Sequence, residues 1–370
     1  MIGLSIPVAA TILVTAGYTG AGYAGADPAA AVADDPQYLT WTVDAPRGSE
    51  VFSTVYDTDT QGSVIVSRNH RNGKVKQTFG SGGVASGVAA TKRGSVAVAR
   101  QQGTVDAYEK RGRLGYRHVG TYPVAVPGQS ETPFLGGIAL GQDGTWLTVA
   151  SVGDAINVPQ WVGAVAVDSD GATTGTWTVP ADSDLPPNAF ILASAISSTD
   201  DGSIFVRGIP CQAGLCGSPV IEKGWLYELR LGKDGSLTQV NEWTSPGLAD
   251  GQHLAMIDDT SFFAVGATRV LGTLPDGLQL ATPESGASVN DVFQFSIEGD
   301  RIETTGRLTG SNAPTYVAVE TRGAVVTAFV VELGSGESGT YTIERFQQEH
   351  GKWVVRGGAW PAQWGSEGPS

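Results

Sequence analysis

The sequence predicts an all-β protein built from six repeats of four antiparallel strands, and three observations carry that expectation. First, 51 glycines and 19 prolines stand among 370 residues, and only 16% of the residues are charged. Gly and Pro are the two poorest residues inside a helix, and so few charges leave little to clothe long solvent-facing helices. Second, regular segments alternate with period two, as strands do, and no run of eleven or more residues carries a helical period. Trp225-Leu226-Tyr227-Glu228-Leu229-Arg230-Leu231 puts Trp, Tyr, Leu and Leu on one face and the charges on the other, and Val292 to Glu298 behaves alike. Third, turn dipeptides fall into two sets that alternate strictly along the chain.

One set is Arg47-Gly48, Arg93-Gly94, Asp143-Gly144, Asp201-Gly202, Asp258-Asp259 and Arg322-Gly323. The other is Asn72-Gly73, Arg111-Gly112, Asp170-Gly171, Asp234-Gly235, Glu298-Gly299 and His350-Gly351. The mean spacing within either set is about 55 residues. Such dipeptides between apolar runs mark hairpins, because the turn needs a residue at φ > 0. Each unit therefore holds two hairpins. In the third unit the four strands are expected at Ile138 to Gly141, Trp146 to Ala150, Val162 to Val167 and Thr176 to Val179. Four-stranded units repeated six times read as the blades of a β-propeller, with room for a degenerate seventh between Ala267 and Asn290. A ring accommodates in one domain a length that otherwise suggests two. A pair of β-sandwiches is the alternative, but it does not call for so regular an alternation.

In this rhythm the chain resembles the secreted WD40-like and lactonase-like propellers, over residues 37–362. The resemblance is to the repeat alone. The Gly-His and Trp-Asp pairs of true WD40 repeats do not recur, and no functional residue is carried over from that superfamily.

Residues 1–26 read as an export signal. They contain no charge, Ile2 to Val14 is mostly apolar, and Ala24-Gly25-Ala26 and Ala31-Val32-Ala33 both suit cleavage, after residue 26 or residue 33. No Lys or Arg precedes the apolar run, and a membrane anchor competes as a reading, although Pro7 and four glycines shorten the apolar core. Residues 27–36 are then a disordered mature N-terminus and 363–370 a C-terminal tail. The only two cysteines, Cys211 and Cys216, suit a disulfide closing a small loop in an oxidising compartment, whereas a metal site would need ligands the neighbourhood lacks. A secreted or cell-envelope location with no membrane span in the mature chain follows from these readings. The net charge of −14 opposes nucleic acid as a partner.

In a four-strand meander the twelve tight turns share one face, and the longer connections all emerge on the other. Long connections are where binding residues concentrate. The loop-rich face gathers Glu131, Asp154, Asp182, Asp184, Asp250, Asp276, Glu284 and Asp291. No cofactor motif is present; clustered carboxylates suit Ca²⁺ or a cationic ligand, and equally suit keeping an exported protein soluble. Asp57-Thr58-Asp59 begins like an EF-hand loop, but its twelfth position is Arg68 where a bidentate Glu is required. Asp250-Gly251-Gln252-His253 leads from this face into an innermost strand, making Asp250 and His253 the candidate acid–base or ligand-binding pair, against a purely structural histidine.

Charge is also uneven along the chain. Residues 39–125 carry twelve Lys or Arg against six Asp or Glu. The first two blades thus form a basic sector, with Lys92, Arg93, Arg111 and Arg113 as candidate docking residues for an acidic protein or an anionic cell-envelope polymer. Two functions remain open: an exported binding module for a protein or small molecule, or a propeller enzyme of lactonase, lyase or hydrolase kind built on His253 and carboxylates at the central channel.

Overall fold

A computed structural model of the chain describes residues 38–361, except 45–49, 58–61, 92–93, 142–143, 154–157, 213–214, 217–220, 222, 250–252, 266–291, 309–313, 323–324, 334–340 and 350–351. It is a β-propeller of six four-stranded antiparallel blades. Blade 1 is β1 (Tyr38–Asp44), β2 (Glu50–Asp57), β3 (Gly62–Asn69) and β4 (Val75–Phe79). Blade 2 is β5 (Ala85–Ala90), β6 (Ser95–Arg100), β7 (Thr104–Lys110) and β8 (Tyr116–Pro123). Blade 3 is β9 (Phe134–Leu140), β10 (Trp146–Val152), β11 (Trp161–Val167) and β12 (Thr173–Thr178). Blade 4 is β13 (Ala189–Ser198), β14 (Ser203–Gln212), β16 (Gly224–Leu231) and β17 (Leu237–Ser245), with the short β15 (Leu215–Cys216) on β14. Blade 5 is β18 (His253–Met256), β19 (Ser261–Val265), β20 (Val292–Glu298) and β21 (Arg301–Leu308). Blade 6 is β22 (Pro314–Arg322), β23 (Val325–Leu333), β24 (Tyr341–Glu349) and β25 (Lys352–Val355), with β26 (Trp360–Pro361) on β24.

Both turn sets fall where the alternation puts them, between first and second and between third and fourth strands. The recurrent form is a three-residue loop. In 141–145 the Gly144 N–H donates to the Gly141 carbonyl at 3.1 Å and the Gly141 N–H to that of Thr145 at 2.8 Å. The same pair of bonds closes 91–95, 168–172, 199–203 and 232–236. This is a turn followed by a left-handed residue, and Gly144 (φ +91°) and its counterparts supply that residue. Blade 3 differs from expectation mainly in two strands: the outermost begins at Thr173, three residues before the expected Thr176, and ends at Thr178 rather than Val179. Its innermost strand begins at Phe134, four residues before the expected Ile138, because Gly136-Gly137 reads locally as a break. Near the axis small residues are what a strand requires: a Cβ on Gly87 of β5 would lie 2.8 Å from the backbone nitrogen of Ile138.

The second and third strands bury both faces. In β14, Phe205 packs toward blade 5 among Phe262, Phe293 and Phe295. Its neighbours Ile204 and Val206 pack the other way, with Leu147, Val149 and Ala164 of blade 3. Each of the six blade-to-blade interfaces holds one such apolar cluster among the described residues. Three arginines lie fully buried in this framework, Arg68, Arg100 and Arg207. Arg100 pairs with Asp106 at 2.8 Å and donates to the carbonyls of Gly83 and Ser63, binding blade 2 to blade 1.

Each blade takes its four strands from consecutive sequence, so the ring closes with no strand exchanged between blades 1 and 6. Side chains form the seam instead. Trp360 lies buried among Val51, Phe329, Val331 and Ile343. The Arg345 guanidinium donates to the carbonyls of His70 and Arg71 in blade 1, and Arg322 reaches the His70 ring at 2.8 Å. Gly73, in the β3–β4 turn of blade 1, is the surface on which Trp360 rests: a Cβ there would lie 2.2 Å from the indole, and its φ is +68°.

The Cys211–Cys216 disulfide is formed. Among the described residues no helix is long and apolar enough to cross a membrane. The expected export signal, the 27–36 segment, the 363–370 tail and the 267–290 stretch considered for a seventh unit lie outside the described residues.

Two stability measurements follow. Trp360→Ala is expected to cost about 3–5 kcal/mol in chemical denaturation, and Gly73→Ala about 3 kcal/mol or more, from overlap and backbone strain together. Because both act on one contact, Gly73→Ala in the Trp360→Ala background should retain only its backbone strain, on the order of 1–2 kcal/mol. Additive losses would show that Trp360 does not rest on Gly73. Reducing the disulfide should lower stability by about 2 kcal/mol, as the chain entropy of so short a loop allows, seen as a lower urea midpoint with the slope unchanged.

Candidate functional site

Every innermost strand runs from the loop-rich face toward the turn face, so the first residues of these strands ring the loop-rich mouth of the central channel. A cavity of about 110 Å³ opens there. Ala85 and Ser86 come from β5, Phe134 and Gly136 from β9, Leu192, Ala193 and Ser194 from β13, and His253 from β18. Gln101, in the β6–β7 connection, and Ala150 and Ser151 of β10 complete the lining. Five strands in four blades thus contribute, together with one connection, and the cavity exists only because the ring brings their ends together.

Among the described residues His253 is the one lining residue with a titratable side chain. Its ring stands 4.0 Å, centroid to centroid, from that of Tyr316 at the start of β22. Its carbonyl accepts from the Arg207 guanidinium at 2.9 Å, and the same guanidinium donates to the carbonyls of Val265 and Leu248. Arg207 therefore belongs to blade 4 but holds the first residue of blade 5 in place. Burial is the main cause that pushes the imidazole down to about 3, and the Arg207 charge adds to it. The ring is therefore neutral across the physiological range, one nitrogen donating and the other accepting. Burial, with the Asp44 carboxylate second, pushes the Tyr316 hydroxyl upward, so it too remains uncharged.

The remaining polar groups are also neutral. Ser86 donates its hydroxyl to the Ala99 carbonyl at 3.3 Å and Ser194 donates to the Arg207 carbonyl at 3.4 Å. Each leaves oxygen lone pairs for whatever occupies the cavity. Ala85, Phe134, Ala150, Leu192 and Ala193 supply apolar wall. Among the described residues no carboxylate lines the cavity, and no group of three or more His, Cys, Asp or Glu is placed to hold a metal ion.

Of the sequence candidates, His253 is at the mouth. Asp250, Asp154 and Asp291 lie outside the described residues, as do Lys92 and Arg93. Asp182 is engaged within the blade 3–blade 4 link. It accepts from the Lys223 ammonium at 2.7 Å and the Trp225 indole N–H at 3.2 Å, and the Lys223 bond is the chief cause that holds it below the usual carboxylate range. Asp184 stands exposed, 3.7 Å from the same ammonium. Glu131 is exposed in the blade 2–blade 3 link, and neither it nor Asp182 nor Asp184 lines the cavity. Arg111 is exposed at the outer turn of blade 2, and Arg113 lies in the single 3₁₀ turn Gly112–Leu114 beside it. Part of the basic sector is neutralised internally: Glu50 binds Lys76, Lys110 and the Tyr116 hydroxyl together. Burial opposes the charge on Glu50, but these bonds outweigh it and lower its pKa.

Sequence reading missed Ser86, Gln101, Ser151, Ser194, Tyr316 and Arg207. For Ser86, Ser194 and Tyr316 the available signal was positional, since innermost strands begin at the mouth once the blades are phased; Gln101, Ser151 and Arg207 lie on or after second strands and carried no such signal.

No family model matches the chain, and no curated protein matches it. Solved structures do. A functionally unknown protein from Desulfotomaculum acetoxidans DSM 771 is similar at 13% identity and a TM-score of 0.44, covering 84% of this chain and 98% of its own. A luciferin-regenerating enzyme is similar at 12% identity and a TM-score of 0.42, with 75% and 76% covered. The Dos1 propeller is similar at 9% identity and a TM-score of 0.44, with 79% and 63% covered.

Proposed function

We propose that the protein is an exported ligand-binding module, and that its site is the mouth of the central channel on the loop-rich face. One observation carries the reading: among the described residues the cavity combines apolar wall with hydrogen-bonding groups that are all uncharged. A group enclosed there exchanges water for neutral donors and acceptors, and a charged group would lose its hydration without gaining a counter-charge. The ligand is thus small, or inserts a small part of itself, is uncharged at that end, and offers both apolar surface and hydrogen-bonding groups. A volume of about 110 Å³ is below the ~300–1,000 Å³ of drug-sized pockets, which sets the scale of the enclosed portion. The disulfide supports residence in an oxidising compartment.

The binding reading is favoured over the enzyme reading by the state of His253. General acid–base catalysis works best with a pKa near the working pH, and an imidazole at about 3 is far from it. A fixed neutral tautomer instead suits a constant recognition pattern.

The test uses D-glucose and N-acetylglucosamine as neutral probes in ligand-observed NMR with the full chain. Binding is expected for at least one probe, weakened about tenfold or more by His253→Ala, a loss of about 1.4 kcal/mol, and flat from pH 5 to 8. Unaltered binding in the variant, or an affinity that titrates near the ordinary histidine pKa of about 6.5, contradicts the assignment. The same histidine has a stability signature. Its folded pKa lies below its unfolded one, so its contribution is complete above pH ~6.5 and is lost as the pH falls from there toward about 3. Between those limits His253→Gln should reduce the dependence of stability on pH by up to about 1.4 kcal/mol per pH unit.

A further inference from the structure

Several cations of blades 1, 2 and 6 have a carboxylate partner. Lys76 and Lys110 share Glu50, Arg100 pairs with Asp106, Arg322 with Glu320 and Arg356 with Glu349. Arg71 and Lys74 do not: among the described residues no carboxylate lies within ion-pair distance of either. Both are exposed on the β3–β4 turn of blade 1. They form one side of an open groove of about 640 Å³, whose other side is the segment 357–359 that leads to Trp360.

The unengaged groups along this groove are of one kind. Asn72 already accepts the Lys74 N–H through its side-chain oxygen, which leaves its NH₂ as a donor. Among the described residues the N–H groups of Gly357 and Gly358 make no hydrogen bond, and a Cβ on either glycine would meet nothing within 4 Å. Buried Arg68 also lines the groove, and among the described residues no Asp or Glu does. Two cations without a carboxylate partner among the described residues, of which Arg71 also donates its Nε–H to the His70 ring at 3.3 Å, form with an amide NH₂ and successive glycine N–H groups a donor set for oxyanions. It stands on a chain whose net charge of −14 repels anions at long range, so the attraction is local to this groove.

We propose that the seam groove binds a polymer carrying phosphate groups in series. Its volume is far beyond one phosphate, and it is open to solvent, so a strand can lie along it with successive phosphates at Arg71, Lys74 and the Gly357–Gly358 backbone. The one aromatic residue among the described lining, Trp360, is buried in the seam and offers no platform for bases, which favours a base-free polymer over nucleic acid.

The experiment is calorimetric titration of the full chain at low and moderate salt with sodium tripolyphosphate, orthophosphate, dextran sulfate and decathymidylate. Tripolyphosphate should bind, more tightly than the other three, and weaken as salt rises. Arg71→Ser/Lys74→Ser should weaken it about tenfold or more, and Lys74→Glu alone at least as strongly as Lys74→Ser. The control Arg117→Ser/Lys233→Ser removes two exposed cations, from blades 2 and 4, and should leave affinity within about threefold; His253→Ala should leave it unchanged. Equal loss in the control overturns the site, since only diffuse charge is then being read. Tighter binding of orthophosphate, dextran sulfate or decathymidylate overturns the phosphate-polymer assignment in favour of a free anion, a sulfated polymer or nucleic acid respectively. No binding of tripolyphosphate overturns the proposal outright.

Discussion

Two-sided burial of the middle strands is the constraint on which the rest of the molecule depends. A strand such as β14, with Phe205 buried toward one neighbour and Ile204 and Val206 toward the other, cannot satisfy both faces within its own sheet. Each blade therefore needs a blade on either side. A linear stack would leave two large apolar faces in water, and the ring leaves none. Closure at the seam consequently requires no exchanged strand. Trp360, Val51 and Phe329 provide the same apolar contact as the other interfaces, and Arg345 and Arg322 add polar contacts across it.

The ring also dictates the character of the site. Six strands converging on one axis leave little space for side chains, which is why glycine, alanine and serine occupy so much of β5, β9 and β13. A small cavity remains at the mouth, walled by rigid strand ends. Arg207 then fixes the first residue of β18 through its backbone, and the imidazole of His253 inherits both a defined position and a nearby positive charge. The neutral state of the site is thus a product of packing. It contrasts with the outer seam, where Arg71 and Lys74 have no carboxylate partner among the described residues.

The architecture was legible because its signals are local. Strand alternation is visible in seven consecutive residues such as Trp225 to Leu231, and a turn in five such as Gly141 to Thr145. Blade 3 shows the limit: Gly136 and Gly137 look like a strand break until the crowding at the axis is known. His253 was legible as a scarce residue leading from a loop into an innermost strand. Tyr316 was not, because it reaches His253 from a strand some sixty residues later in the chain. Asp182 drew notice as an acidic loop residue, yet Lys223 and Trp225, its partners, come from the following blade. Charge read from composition cannot tell a free carboxylate from one already paired.

By itself, then, the sequence determined strand periodicity, turn positions, the repeat and the face on which the long connections emerge, because each is set by backbone sterics and side-chain alternation within a few residues. The tertiary structure decided which charges are neutralised, which histidine is desolvated, where a cavity survives and where donors are left without acceptors. Those properties depend on distances between residues far apart in the chain, and such distances exist only once the six blades have closed.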